Sequence, residues 1–233
     1  MHTKSVQYHD FIYEFVDFEK EANFIDAIIQ EQLPSANTIL DVACGPHEHV
    51  KTLRSKYQVD GIDINKEFLP IAKLKNPSGN YEQANMCNFK LGKLYDVVIC
   101  LASSISYVKN VSELNDTLKC FANHLNPEGM VIVVPWFTLD TWTPGKVSMV
   151  FCEEKQLKIA RASVRSNNGK QSRMHFTYMV ATPDGVDTFT EDHYLMLFSK
   201  DELVNAFESA GLKVTQSNGW TPGRGLILGL KNI

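Results

Sequence analysis

A chain of 233 residues with 44% of its positions hydrophobic and 21% charged is globular in composition, too apolar for a disordered tail and too charged for a membrane bundle. Twenty-three Lys and Arg against 27 Asp and Glu leave a net charge of −4, which excludes an overall basic field for a nucleic-acid backbone. The longest uncharged apolar stretch, residues 97–108, is far shorter than the ~20 residues of a membrane span, and the start has no apolar signal core.

Five cysteines without a Cys-x-x-Cys spacing read as free thiols of a reducing compartment rather than a disulfide frame or zinc site. A soluble cytoplasmic protein is expected, with neither nucleic acid nor membrane as partner.

In chain order, Phe11, Phe15, Phe18, Phe24, Ile25, Ile28 and Ile29 recur at spacings of three and four, predicting one or two helices before the break at Pro34. Thr38-Ile-Leu-Asp-Val42 reads as a short buried strand. A tight turn, Ala43-Cys-Gly45, follows it, with Pro46 expected at the first position of a helix that runs to about residue 56. Strands are then predicted at Val59-Asp-Gly-Ile-Asp63, weakly around Tyr81, at Tyr95-Asp-Val-Val-Ile-Cys100 and at Met130-Val-Ile-Val-Val134. Helices over 66–75 and 111–124 separate them. Such alternation specifies a doubly wound α/β domain, a parallel sheet with helices on both faces.

After Pro135 the pattern changes. Residues 137–198 form a β-rich insertion of three or four antiparallel strands, with turn signals at Asn167-Asn-Gly169 and Pro183-Asp-Gly185. A Ser199-x-x-Glu202 capping box then opens the last helix, Gly211 closes it, and two terminal strands follow.

In an open parallel sheet a ligand lies at the carboxyl ends of the strands, beside the first. Asp41-Val-Ala-Cys-Gly45 stands there, and Asp63 ends the second strand, placed either to accept from a ribose hydroxyl pair or to cap the next helix. A dinucleotide is disfavoured: Gly45 stands alone where Gly-x-Gly-x-x-Gly is required, and the Asp41 carboxylate would repel a pyrophosphate while tolerating a cationic ligand.

Ile39-Leu-Asp-Val-Ala-Cys-Gly45, Gly61-Ile-Asp-Ile64, Asn85-Met-Cys-Asn-Phe89 and Tyr95-Asp-Val-Val-Ile99 resemble the successive motifs of class I S-adenosylmethionine-dependent methyltransferases. Ser103-Ser-Ile-Ser-Tyr107, Val134-Pro-Trp136, Arg173-Met-His-Phe176, His193 with Leu197-Phe198, and Gly223-Arg-Gly-Leu226 resemble the nucleotide-linked amino-sugar N,N-dimethyltransferases of the desosamine and mycaminose type. The resemblance runs from about residue 37 to the end, insertion included. It implies a Rossmann-like methyltransferase sheet and an enzyme that uses S-adenosyl-L-methionine to methylate the amino group of a small molecule, most of all a nucleoside-diphosphate sugar.

Residue by residue, the resemblance implies that Asp41, Ala43 and Gly45 line the methionine part of the cofactor. Asp63 holds the ribose, and Asn85 with Met86 frames the adenine; Ile64 and Leu101 complete the cofactor site. Tyr107, just beyond the fourth strand, is chosen to orient the amine. Trp136, His175 and Arg224 are assigned to substrate, Arg224 reaching a phosphate from a glycine-flanked loop. Residues 1–36 are expected to form a helical lid, with Tyr8 and Phe18 the nearest counterparts of the family's lid tyrosine. A homodimer through the 137–198 insertion is expected. Pro46-His47 departs from the family pattern of a small residue and a second Gly, so an imidazole is expected where the backbone passes close to the cofactor.

Other acceptors, a different small amine or a hydroxyl, and a non-catalytic cofactor-binding protein remain open from sequence. No metal is expected. His47 and His49, two apart, point in different directions; His124 suits a surface helix end; and His175 and His193 are as well read as structural hydrogen-bonders as substrate contacts. Residues 141–180 hold seven Lys and Arg against Glu153 and Glu154, a local +5 that fits an anionic substrate or a solvated strand face.

Overall fold

The computed structural model describes residues 4–217 and 225–231. Its larger sheet is built on apolar runs: β1 (Thr38–Val42), β2 (Gln58–Asp63), β3 (Tyr81–Gln83), β4 (Tyr95–Cys100), β5 (Leu125–Val133), β10 (Leu212–Ser217) and β11 (Leu226–Lys231). The strand order is β10-β11-β5-β4-β1-β2-β3, and only β11 runs against its neighbours. The order reverses between β1 and β4, which opens a crevice at their carboxyl ends.

Both faces of this sheet are covered, and the strands show it residue by residue. Ile39, Val97, Ile99 and Ile132 pack under α2 (Phe18–Gln32) and α3 (Val50–Leu53), through Ile25, Ile29, Val50 and Leu53. Leu40, Val98 and Val131 pack on the opposite side, against Leu114, Leu118 and Phe121 of α5 (Val111–Asn123) and Phe207 of α6 (Lys200–Ser209). The Ser199–Glu202 capping box is formed at the start of α6, and Gly211 follows it at φ +79°. A short α4 (Phe68–Lys75) connects β2 to β3.

The second sheet is an antiparallel meander of β6 (Val147–Glu153), β7 (Lys158–Asn168), β8 (Gln171–Thr182) and β9 (Gly185–Met196). Its inner face presents Ile159, Arg161, Phe176, Tyr178 and His193; its outer face presents Phe151, Met179, His175 and Asp192. Part of the inner face is covered by α1 (His9–Ile12), whose Ile12 is buried against Ile159, Phe176, Tyr178 and Val180. Ser5 binds both oxygens of Glu191 at 3.0 and 2.7 Å, so the N-terminal segment is fastened to the insertion sheet.

Three sequence expectations change. Pro46 starts no helix: residues 43–49 are a turn, and α3 is a single turn beginning at Val50. His124 is buried, not a surface cap. Its Nδ1–H donates to the Cys120 carbonyl at 2.8 Å while Nε2 accepts from Leu91 N–H at 3.3 Å, so both nitrogens serve the core. The +5 of residues 141–180 does not gather into one patch. Lys158, Lys170 and Arg173 each pair with a carboxylate, and Arg161 and Arg165 lie over aromatic rings on the inner face.

Candidate active site

Five non-glycine residues among those described have positive φ, and four of them, Ala43, His47, Ala102 and Ser103, fall in the two loops that flank the crevice after β1 and β4. Such backbone costs of order 1–3 kcal/mol a residue and persists where surrounding structure over-determines it, most often at ligand sites. Gly45 shares the left-handed conformation at φ +54°, and a Cβ added there would meet nothing within 4 Å, so the loop offers bare backbone to open space.

Asp63, at the end of β2, faces that loop. Its carboxylate accepts from Gly45 N–H at 2.8 Å and from Asn65 N–H at 2.7 Å. Burial, with Asp41 adding to it, pushes this carboxyl above its ordinary value despite those donors. Ile64 beside it is 57% exposed, an aliphatic surface at the mouth of the crevice. Asn85 is exposed, with its side-chain oxygen turned back to Cys87 N–H at 3.0 Å; Met86 is half-buried against the core, and Leu101 is buried. These residues sit along the carboxyl edge of β1, β2, β3 and β4, at one end of the sheet.

His47 does not enter the crevice. Its side chain has no exposed surface; Nδ1 is 2.7 Å from the Tyr81 hydroxyl, and Nε2 is 3.1 Å from Asp41 Oδ2 in an oblique approach without hydrogen-bond geometry. Asn76 Nδ2 donates to the same Tyr81 hydroxyl at 3.1 Å, and burial pushes that phenol well above its ordinary value. A Cβ on Gly61 would be 2.9 Å from the Tyr81 ring, so glycine there is what lets the ring reach in. The backbone takes the conformation suited to a second glycine, and the imidazole folds beneath the loop. The expected obstruction is absent, and with it the sequence-level ground for a degenerate site. His49 turns elsewhere, to Glu21 of α2 at 2.9 Å.

Tyr107 closes the 3-10 turn Ser104–Tyr107 after β4. Its hydroxyl lies 2.5 Å from Nδ1 of His193 on the inner face of β9. The ring keeps 38% of its surface open, as a cleft wall does, yet enough protein surrounds it that desolvation pushes the phenol well above its ordinary value, with smaller contributions from Tyr13, Tyr178, Asp63 and Glu191. Trp136, half-buried, donates from Nε1 to Ser172 Oγ at 3.1 Å and packs edge-on against Phe137 and tilted against Trp142, so it joins the end of β5 to the insertion.

His175 is elsewhere. It shares Asp192 with Arg173 on the outer face, the side away from Tyr107 and His193. Arg224 lies outside the described residues. A separate groove of about 830 Å³ between the α1–α2 connection and α3 is lined by Asp10, Glu14, Asp17 and Glu48, and by none of the crevice residues named above.

Sequence reasoning missed the other groups around the Tyr107 hydroxyl. Tyr13 is the residue that ends α1, off the apolar helical stripe, and lies over the Arg161 guanidinium at 5.1 Å. Arg161 is 7% exposed and its Nη1 has no hydrogen-bond partner. Its inward position follows from the alternation of β7, between inward Ile159 and Ser163, and that alternation was the available signal.

Residues 39–129 match the family described as a methyltransferase domain. A dTDP-3-amino-3,6-dideoxy-alpha-D-glucopyranose N,N-dimethyltransferase of Streptomyces fradiae is 35% identical over 216 residues, 92% of this chain and 85% of that one. This chain belongs to the nucleotide-linked amino-sugar N,N-dimethyltransferases. Among solved structures, the methyltransferase superposes on Streptomyces venezuelae DesVI with a TM-score of 0.93 at 31% identity, covering 99% of this chain and 100% of that one. It also superposes on S-adenosylmethionine-bound CalS10, an amino pentose methyltransferase from Micromonospora echinaspora, with a TM-score of 0.89 at 25% identity, covering 100% and 98%.

The methyltransferase is an S-adenosylmethionine-dependent enzyme with the Rossmann-like fold and β insertion. Its crevice fits that cofactor: bare backbone at Gly45, acceptors at Asp63, and exposed aliphatic surface at Ile64.

Proposed function

We propose that this methyltransferase transfers methyl groups to the amino nitrogen of a nucleoside-diphosphate-linked amino sugar. The observation that carries the reading is the Tyr107–His193 contact, which joins the carboxyl end of β4 to the insertion sheet and supports taking the inner face of that sheet as one wall of the acceptor site. The similarity to amino-sugar dimethyltransferases spans 92% of the chain, so it includes that wall. The buried Arg161 on the same face supplies a guanidinium suited to an anionic acceptor.

Bound S-adenosylmethionine supplies an electrophilic methyl on a cationic sulfur. The chain's contribution is placement, which can be worth ~7–11 kcal/mol when reacting atoms are held in line. Asp41, Ala43 and Gly45 support the methionine part. Asp63 accepts from the ribose hydroxyls, and Ile64, Asn85, Met86 and Leu101 bound the adenine. Tyr107 orients the acceptor amine, Trp136 flanks it, and Arg224 binds phosphate.

The segment 1–36 acts as a lid over the site, and the insertion 137–198 serves substrate binding and the pairing of two copies. A cytoplasmic location belongs to this reading. Among the described residues no helix is long and apolar enough to cross a membrane, and the five cysteines are free.

The test is transfer of labelled methyl to a panel of dTDP-linked 3-amino and 4-amino sugars, beside the free amino sugars and simple amines. Methylated nucleotide sugar is expected, and Arg224→Ala should lower kcat/KM for it by at least about tenfold, the loss of one charged phosphate contact. Equal activity on free amines, or no loss in Arg224→Ala, would overturn the nucleotide-sugar acceptor.

A further inference from the structure

The site holds a second group whose placement suits proton chemistry. Methyl transfer to an amine leaves an ammonium, and a second transfer to the same nitrogen requires that its proton depart first. Tyr107 is the residue proposed above to orient the amine, and among the described residues its hydroxyl meets His193 Nδ1 at 2.5 Å. Behind His193, Nε2 lies 3.9 Å from Glu191, which is itself bound through both oxygens by Ser5. Burial alone would raise the Glu191 carboxyl, but the nearby His193 ring and the two hydrogen bonds from Ser5 outweigh it and hold the carboxyl below its ordinary value. Phe176 meets the imidazole edge-on at 5.3 Å and fixes its plane.

The phenol of Tyr107 is a poor resting base, since desolvation disfavours its anion; a proton accepted there must be passed on.

We infer that His193 is the proton acceptor of this site, drawing the proton from the acceptor ammonium through the Tyr107 hydroxyl. The ammonium N–H bond breaks as a proton reaches Tyr107 Oη. The original hydroxyl proton passes to His193 Nδ1, leaving a neutral amine, an intact phenol and an imidazolium facing Glu191. The imidazolium then gives up one proton to solvent, and exchange through water leaves the remaining proton on Nε2, so that Nδ1 is free to accept from Tyr107 again. The charged and titratable groups around the pair are Glu191 on β9, Tyr178 on β8, Arg161 on β7, Tyr13 at the end of α1 and Asp63 at the end of β2. The inference rests on the amine-acceptor reading above.

Its test uses His193→Gln, which keeps a polar partner for Tyr107 but cannot take up a proton. Near neutral pH, kcat should fall about 100-fold, within the range of general-base contributions, with KM and cofactor affinity within twofold of the parent. Monomethyl product should accumulate. Raising the pH above the acceptor ammonium's own pKa should restore kcat to within a few-fold of the parent, because the amine is then neutral unaided. An unchanged pH profile, or a loss that high pH does not restore, would overturn the relay.

Nitrogen chemical shifts of His193 in the substrate-free protein provide an arm that needs no acceptor. A neutral ring with its proton on Nε2, altered by Tyr107→Phe, is expected; a proton resident on Nδ1 would overturn the relay whatever the acceptor. If the parent enzyme methylates no amine at all, it is the acceptor reading that fails, and the shift measurement still decides how the pair is protonated.

Discussion

At the scale of single residues, His47 shows how a departure from a family pattern can be absorbed. The left-handed backbone costs about 1 kcal/mol for a residue with a Cβ. Against that stand a buried hydrogen bond to Tyr81 and an imidazole, with no exposed surface, that fills space beneath the loop. Removing a partner from a buried polar group costs about 1–3 kcal/mol, and the vacated volume adds to it. His47→Gly, although it restores the family's residue, should therefore destabilise the protein by about 2 kcal/mol in a denaturant titration. It should also weaken cofactor binding in calorimetry, because the loop beside Asp41 loses the side chain packed beneath it. A more stable glycine variant would show instead that the strain is uncompensated.

Asp41, Gly45 and Asp63 were legible from strand-and-turn spacing. Where the imidazole goes was not, because Tyr81 and Gly61 become its neighbours only through the pairing of β1, β2 and β3.

At the scale of elements, the strands of both sheets were readable because each rule in play was local. Continuous apolar runs marked β1, β4 and β5, and hairpin turns at Gly169 and Asp184 marked the meander. The helix expected from Pro46 failed for the opposite reason: tertiary contacts of His47 hold residues 43–49 as a turn and override local preference.

What ties the strands at the amino end of the sheet is one carboxylate. Asp96, at the start of β4, accepts from Asn37 N–H, Thr38 N–H, Thr38 Oγ1 and Asn126 Nδ2 at 2.8–3.0 Å, linking β1, β4 and β5. Burial would raise its carboxyl, but those donors outweigh burial and hold it below the ordinary value. Its stabilisation is therefore complete above an ordinary aspartate's pKa of about 3.9 and is lost as pH falls through the lower folded value. Asp96→Ala should cost roughly 2 kcal/mol at neutral pH, a partly exposed site recovering some bonds from water. The difference from the parent should shrink on acidification in thermal unfolding at a series of pH values. A difference that stays constant down to pH about 2 would mean that the charge does not matter.

At the scale of the molecule, the insertion has two unlike faces, and the sequence disclosed its strands without disclosing which side of them turns toward the main sheet. The inner face meets α1 and the carboxyl end of the main sheet. The outer face carries Val147, Met149, Phe151, Val164, Met179 and Val186, all at least 40% exposed, with Phe151, Ala160 and Met179 in one cross-strand row. Exposed apolar surface of that extent on one face marks an interaction surface. The proposed dimer places it against the same face of a second copy, because a two-fold pairing needs only a patch that complements itself.

His175 and Asp192 lie on this face, so the proposed role of His175 shifts from substrate to the margin of the interface. Sedimentation at micromolar concentrations should give a dimer. Phe151→Asp with Met179→Asp should give a monomer whose cofactor affinity is unchanged, because the crevice belongs to the other sheet. A parent protein that stays monomeric at about 100 μM, roughly −5.5 kcal/mol of association, would remove the dimer and leave the outer face for a different partner.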